Sequence, residues 1–453
     1  MKSHLFFRLG LLSALFLSSC TTPPKTTSAD YLDYAQTDYL NGDFNGAIAD
    51  LDKAIALNPD LSGAYSYRGL VKDRKGDLAG AIADYDKAIM LDPNDDSAYN
   101  NRGNLKRKKG DLDGAIADCG KAIALAPNEP FYYQNRGSDK QAKGDYESAI
   151  ADYDKAIELR PDNAKTYDYR GLAKHDKGDI DGAIADYDKA ISINHNLAAA
   201  YNDRGIAKSN KHDFDSAIAD FDKAIVLQPR YAKAYSNRGL IKQTKGDLGG
   251  AISDYNKAIE LDPNYAFAYN NLGLAKQAKG DLDGAIADYD KALELDPDYA
   301  PIYNNRGAAR CCKGDFDGAI IDYNKSIDVD KGRADYARFC LDLTLRRLHR
   351  DDSPSGLAPA VAKWKDGWPK TVGDYLIGKL PEARFLAQAN LGDAETAREH
   401  ECEAFYYAGM VHLLANDSEK ARQLFENCLA TNVIGFTEFD LARAELGRLP
   451  DRH

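Results

Sequence analysis

The chain has 453 residues, 44% of them hydrophobic and 29% charged, with a formal charge of −12. That balance excludes a disordered chain, and the acidic average argues against nonspecific nucleic-acid binding. The length allows about two or three domains or one long array, and alanine supplies so much of the apolar fraction that thin cores between stacked helices are expected.

The first residues, MKSHLFFRLGLLSALFLSSC, place basic Lys2 and Arg8 before or beside an apolar run, Leu9 to Leu17, and a small-residue end. That order predicts a secretory signal, too short for a spanning helix. Leu17-Ser18-Ser19-Cys20 resembles the lipobox of bacterial lipoproteins. The resemblance implies removal of residues 1–19 and lipidation of Cys20, whose acyl chains contribute roughly 0.8 kcal/mol per buried CH₂. Residues 20–27 then form a tether, in which Pro23 and Pro24 prevent a helix. Thr21 stands where enterobacterial lipoproteins kept in the inner membrane carry Asp, so the expected location is the outer membrane, facing the periplasm.

From residue 28 the sequence repeats. GAIADYDKAI stands at 80–89 and again at 182–191. Gly-Asp recurs at 42, 76, 110, 144, 178, 246, 280 and 314, with His212 taking the glycine's place once, in steps of 34 residues. In the copy at 62–95, AYSYRGLVKDRK predicts a helix ended by Gly76, a residue suited to a left-handed exit. Asp77 caps a second helix, in which Ala81, Tyr85, Ala88 and Ile89 share one face, and Pro93 stops it. With Tyr65, Gly69, Gly76, Ala81, Tyr85, Ala88 and Pro93 in the family's places, the chain is identified as a tetratricopeptide-repeat protein with nine copies over 28–333. The implied fold is all-α, an α-solenoid of stacked helix-turn-helix hairpins that winds into a superhelix with a concave groove.

Within each copy the seventh position is Arg in most cases and the twenty-third is Asp throughout. Arg68 with Asp84, Arg102 with Asp118 and Arg136 with Asp152 are expected to form structural ion pairs between the two helices, while Leu272 breaks the series. In this family the groove is lined by positions two, five, six, nine, twelve and thirteen of the first helix. Positions five and six place Asn100, Asn101, Asn135, Asn237, Asn270, Asn271, Asn304 and Asn305 there, interrupted by Tyr67, Tyr169 and Asp203. An amide donates and accepts at once, so such a column suits the backbone of an extended peptide. It is similar to the asparagine ladder of O-linked N-acetylglucosamine transferases. Leu70, Leu172, Ile206, Leu240 and Leu274 at the ninth position add apolar groove contacts. Lys106 to Lys109 reads as a solvated, basic helix end.

After the array, residues 334–350 predict a capping helix, 351–360 a loop, and 361–453 a helical domain in which Trp364 and Trp368 anchor packing. A degenerate repeat is expected at 402–435 and a cap helix at 437–449. Cys402 and Cys428 lie near each other across the hairpin, as packed or free thiols, or as a disulfide where their Cα atoms fall within about 4.4–6.8 Å. The remaining cysteines show no zinc spacing, and no catalytic motif, metal site or cofactor motif is present. The expected function is therefore a non-enzymatic, lipid-anchored scaffold that binds extended segments of envelope proteins, with no small-molecule substrate. The alternative is a fixed, pilotin-like subunit of a secretion or pilus machine.

Overall fold

A computed structural model describes residues 27–330, 334–350, 356–433 and 436–450. The signal and Cys20 lie outside the described residues. Among those described there are helices and no strand. The chain divides into two compact units, the first ending at Ala173 and the second beginning at Lys174.

Helix pairs come first: α1 (Ser28–Leu40) with α2 (Phe44–Leu57), α3 (Ser62–Lys75) with α4 (Leu78–Leu91), and α5 (Asp96–Lys108) with α6 (Leu112–Leu125). Next are α7 (Pro130–Ala142) with α8 (Tyr146–Leu159), and α9 (Ala164–Lys177) with α10 (Ile180–Ile193). Then come α11 (Ala198–Asn210) with α12 (Phe214–Leu227), and α13 (Ala232–Thr244) with α14 (Leu248–Leu261). The last pairs are α15 (Ala266–Ala278) with α16 (Leu282–Leu295), and α17 (Ala300–Lys313) with α18 (Phe316–Val329).

The same local chemistry builds each pair. Gly76 leaves α3 at φ +89°, and the Asp77 carboxylate accepts the Gly80 N–H at 2.9 Å, capping α4. Such a cap contributes about 1 kcal/mol. His212 holds the same left-handed turn at φ +59°, which shows that the geometry persists without glycine. Ala81, Tyr85 and Ala88 are buried, as are their counterparts Ala251, Tyr255 and Ala258. The eighth-position glycine is set by the aromatic ring opposite: a Cβ on Gly273 would meet Tyr289 Cε1 at 2.6 Å.

Beyond the array are α19 (Asp335–Arg347), α20 (Leu357–Val361), α21 (Trp368–Leu376) and α22 (Glu382–Ala389). They are followed by α23 (Ala394–Leu414), α24 (Ser418–Ala430) and α25 (Thr437–Arg448). Helix α20 falls largely in the stretch expected to be a loop, because Leu357 and Val361, one turn apart, both bury in the core. Helix α23 starts well before residue 402, where the Asp393 carboxylate accepts the N–H groups of Glu395 and Thr396. This core is aromatic: Phe339 meets Trp364 and Tyr407 edge-on, each at 5.5 Å between centroids. Asn416 supplies the left-handed turn between α23 and α24 at φ +61°.

Candidate functional site

An open, mainly apolar cleft of the first unit lies between α1 and α3. Ala29, Leu32, Asp33, Gln36, Tyr39 and Leu40 face Gly63, Tyr67 and Leu70 around about 700 Å³. Every one of these residues occupies a groove position of its copy. Leu40 is 71% exposed, a large apolar side chain left in solvent at the cleft rim. Tyr39 and Tyr67 pack edge-on at 5.9 Å, and burial followed by the neighbouring Tyr39 pushes the Tyr67 phenol up to about 12. The cleft therefore presents phenol rings and leucines, with the Asp33 carboxyl among its lining.

The asparagines are not free amides projecting into an empty groove. Asn135 Nδ2 donates to Asn100 Oδ1 at 2.7 Å, and Asn100 reaches Asn101 Oδ1 at 3.4 Å. In the second unit Asn237 donates to Asn202 (2.9 Å), Asn305 to Asn270 (3.0 Å) and Asn270 to Asn271 (3.1 Å). A fifth-position amide thus accepts from the sixth-position amide of the next copy. This bond fixes the register of successive first helices, and Asn100, Asn202 and Asn270 are buried by it. An amide has more donor and acceptor capacity than one bond uses, but Asn100, Asn135, Asn202, Asn270 and Asn271 are buried. Asn304 differs, since its Oδ1 has no partner.

The arginines sit in a wider network than the sequence suggests. Arg68 donates to Asp84 through Nε (2.9 Å) and Nη2 (2.6 Å), and through Nη1 to Asp52 of the preceding pair (2.5 Å). Arg102 repeats this with Asp118 and Asp86, while Arg136 reaches Asp152 alone where Gly120 replaces the second acid. A cation at the eleventh position joins the cluster: Lys72 lies 2.7 Å from Asp84 and Lys106 2.8 Å from Asp118, and in the last copy Arg310 lies 2.8 Å from Asp322. Each guanidinium also lies over the fourth-position tyrosine, as Arg68 over Tyr65 at 5.4 Å. Hydrogen bonds donated to the acids hold these arginines protonated against the cost of burial. Where Leu272 replaces the arginine, Asp288 keeps only Lys276 of this set, and burial raises its pKa. The network is structural, since its charges neutralise one another inside the helix stack.

The basic run is a correction to the sequence reading. Lys106 pairs with Asp118, Arg107 with the buried Asp139, and Lys108 with Asp73 at 2.6 Å. Three of its four side chains are therefore engaged rather than merely solvated.

In the second unit the C-terminal helix α25 lies on the groove positions of the last two copies. Gln277 Nε2 donates to Asp440 (3.3 Å), Arg443 to the Ala278 carbonyl (3.2 Å), and Arg448 to the carbonyls of Cys311 (2.6 Å) and Cys312 (2.7 Å). These carbonyls end first helices, where the Cys311 carbonyl otherwise accepts only the capping Gly314 N–H at 3.0 Å, so arginines complement them. Asn304 lines an open cleft of about 350 Å³ with Tyr336, Cys340, Glu403, Phe436, Thr437 and Glu438. The groove of those copies is thus taken by the chain itself. Ahead of α25, Leu240, Gln243 and Thr244 share an open cleft of about 510 Å³ with Glu395, Arg398 and Phe436.

Glu403 and Glu438 are buried; Glu403 accepts from Tyr336 (3.1 Å) and Trp368 (2.7 Å), and Glu438 from Tyr407 (2.8 Å). Burial, then mutual repulsion, raises the Glu403 pKa, and burial raises that of Glu438. Trp368 also stacks on His400 at 4.2 Å, so it packs within the domain. Cys402 and Cys428 are buried thiols with sulfurs 3.4 Å apart, close but not bonded.

A family profile described as TPR repeat matches residues 74–106, 141–178, 171–211, 243–280 and 278–311. Tetratricopeptide repeat profiles match 97–129 and 403–432. The chain is similar to a solved tetratricopeptide repeat protein from Parabacteroides merdae, with 21% identity, 55% of this chain and 98% of that one covered, and a TM-score of 0.48. It is similar to MamA, with 34% identity over 36% of this chain and 94% of that one and a TM-score of 0.33. It is also similar to YrrB, a TPR protein described as having an unusual peptide-binding site, with 24% identity over 41% and 97% and a TM-score of 0.34. Curated proteins show no significant match.

Proposed function

Because the chain carries tetratricopeptide repeats, a scaffold suited to protein–protein interaction, we propose that it is a non-catalytic scaffold binding segments of cell-envelope proteins. The observation that carries this is the cleft between α1 and α3, built solely from groove positions and lined by Leu32, Tyr39, Leu40, Tyr67 and Leu70. Such a surface takes apolar anchors of an extended partner segment, and the half-buried amide of Asn101 holds its backbone beyond them. The second unit contributes less groove, because α25 lies over its last copies. Anchoring through a lipid on Cys20 at the outer membrane, facing the periplasm, rests on the lipobox-like Leu17-Ser18-Ser19-Cys20.

Two experiments test the reading. Crosslinked pull-downs from the envelope are compared between the native chain and a Leu32→Glu, Leu70→Glu variant of unchanged helicity. Loss of specific partners supports the cleft; an unchanged partner set rejects it. Metabolic labelling with an alkynyl fatty acid tests the anchor: the native chain is labelled and Cys20→Ser is not, whereas equal labelling of both refutes lipidation at Cys20.

A further inference from the structure

We propose that Cys402 and Cys428 are joined in a disulfide that staples α23 to α24. Both side chains are fully buried, and the two Sγ atoms lie 3.4 Å apart across the helix hairpin. Closing them to a bond asks for about 1.4 Å of approach, shared between two side chains. Neither thiol lines one of the clefts described above. The buried acids Glu403 and Glu438 lie nearby, and Cys428 Sγ is 3.9 Å from the Glu438 carbonyl.

The chemistry needs an external disulfide, either a small-molecule disulfide or a thiol–disulfide oxidoreductase. One cysteine thiolate attacks it, releasing one thiol and leaving a mixed disulfide on the chain. The second thiolate then displaces the other thiol, so the pair loses two electrons and two protons and the oxidant becomes two thiols. Full burial means that this exchange occurs before α23 and α24 pack, and that the finished bond is shielded from reductant afterwards. The pairing itself rests on the geometry; its formation in the cell rests on the envelope reading given above, since oxidising compartments sustain disulfides.

The full chain refolded from urea in a glutathione redox buffer, alkylated and digested with trypsin, tests this directly. Peptides 399–420 and 423–443 are expected joined, with a mass about 2 Da below the sum of the free-thiol peptides. The native state resists dithiothreitol, while reduction in urea lowers the subsequent unfolding midpoint of this region by on the order of 5–10 °C. A Cys402→Ala, Cys428→Ala variant shows no such response to reductant. Recovery of both cysteines as separate alkylated or glutathionylated peptides, or bridged to other cysteines, overturns the pairing. If refolding joins the peptides but chain taken from cells carries them apart, the geometry stands and the envelope reading falls.

Discussion

Replacing Arg204 by leucine isolates the energetic role of the repeated arginine. Arg204 donates to Asp220 at 2.9 and 2.5 Å, reaches Asp188 at 2.6 Å and lies over Tyr201 at 5.4 Å. Asp220 is 4% exposed and would retain Lys208 at 2.8 Å. Two hydrogen bonds to a buried charge contribute about 1.5–3 kcal/mol each. The contact to exposed Asp188 adds at most about 1 kcal/mol and the tyrosine face about 0.5–1 kcal/mol. Leucine returns roughly 1.5–3 kcal/mol by filling the slot, as Leu272 does at 3% exposure in its own copy. The net cost is therefore about 2–4 kcal/mol. Native-state hydrogen exchange at amides of α11 and α12 reads it locally, which suits an array that need not unfold as one unit. A cycle with Asp220→Asn is expected to give a coupling of about 2 kcal/mol. A coupling below about 0.5 kcal/mol would refute the reasoning, because the two charges would then be stabilised independently.

Gly273→Ala forces a Cβ to within 2.6 Å of the buried Tyr289 ring, so overpacking of about 1–3 kcal/mol outweighs the helix-propensity gain of about 1 kcal/mol; urea unfolding checks it. Gly63→Ala, which meets nothing within 4 Å, is neutral or mildly stabilising in the same assay. Introducing Leu272→Arg with Asn256→Asp completes the missing cluster and lowers the raised pKa of Asp288, as read by carboxyl NMR titration. The carboxyls of Glu403 and Glu438 titrate higher in the fold than when unfolded, so their contribution is fully present below about pH 4.3 and is lost as pH rises through the folded values. The unfolding midpoint of the C-terminal helices accordingly falls from about pH 5 to about pH 8, and Glu403→Gln with Glu438→Gln flattens the profile.

The repeated hairpin was legible because a period of 34 residues places the turn, the cap and the apolar face together in every copy. Periodicity also brought Arg68 and Asp84 onto facing helices. It did not reveal that Lys72 and Asp52 complete the cluster, since several cations on one helix face compete for a carboxylate and only distance decides. The asparagine column shows a related limit. Residue type announces a donor and an acceptor, but the partner of Asn135 proved to be Asn100, 35 residues away, as much as any ligand. The C-terminal helices were harder still. Outside the degenerate repeat at 402–435 no period marks them, so neither α20 nor the placement of α25 on Gln277, Ala278, Cys311 and Cys312 could be read from spacing.

The central claim is that partner segments lie in the cleft between α1 and α3. A photo-crosslinking amino acid at Leu40, 71% exposed at the cleft rim, is compared in cells with one at Met90, 63% exposed on α4. The account predicts discrete protein adducts from position 40 and none from position 90. Adducts from position 90 alone, or the same adducts from both, would contradict it.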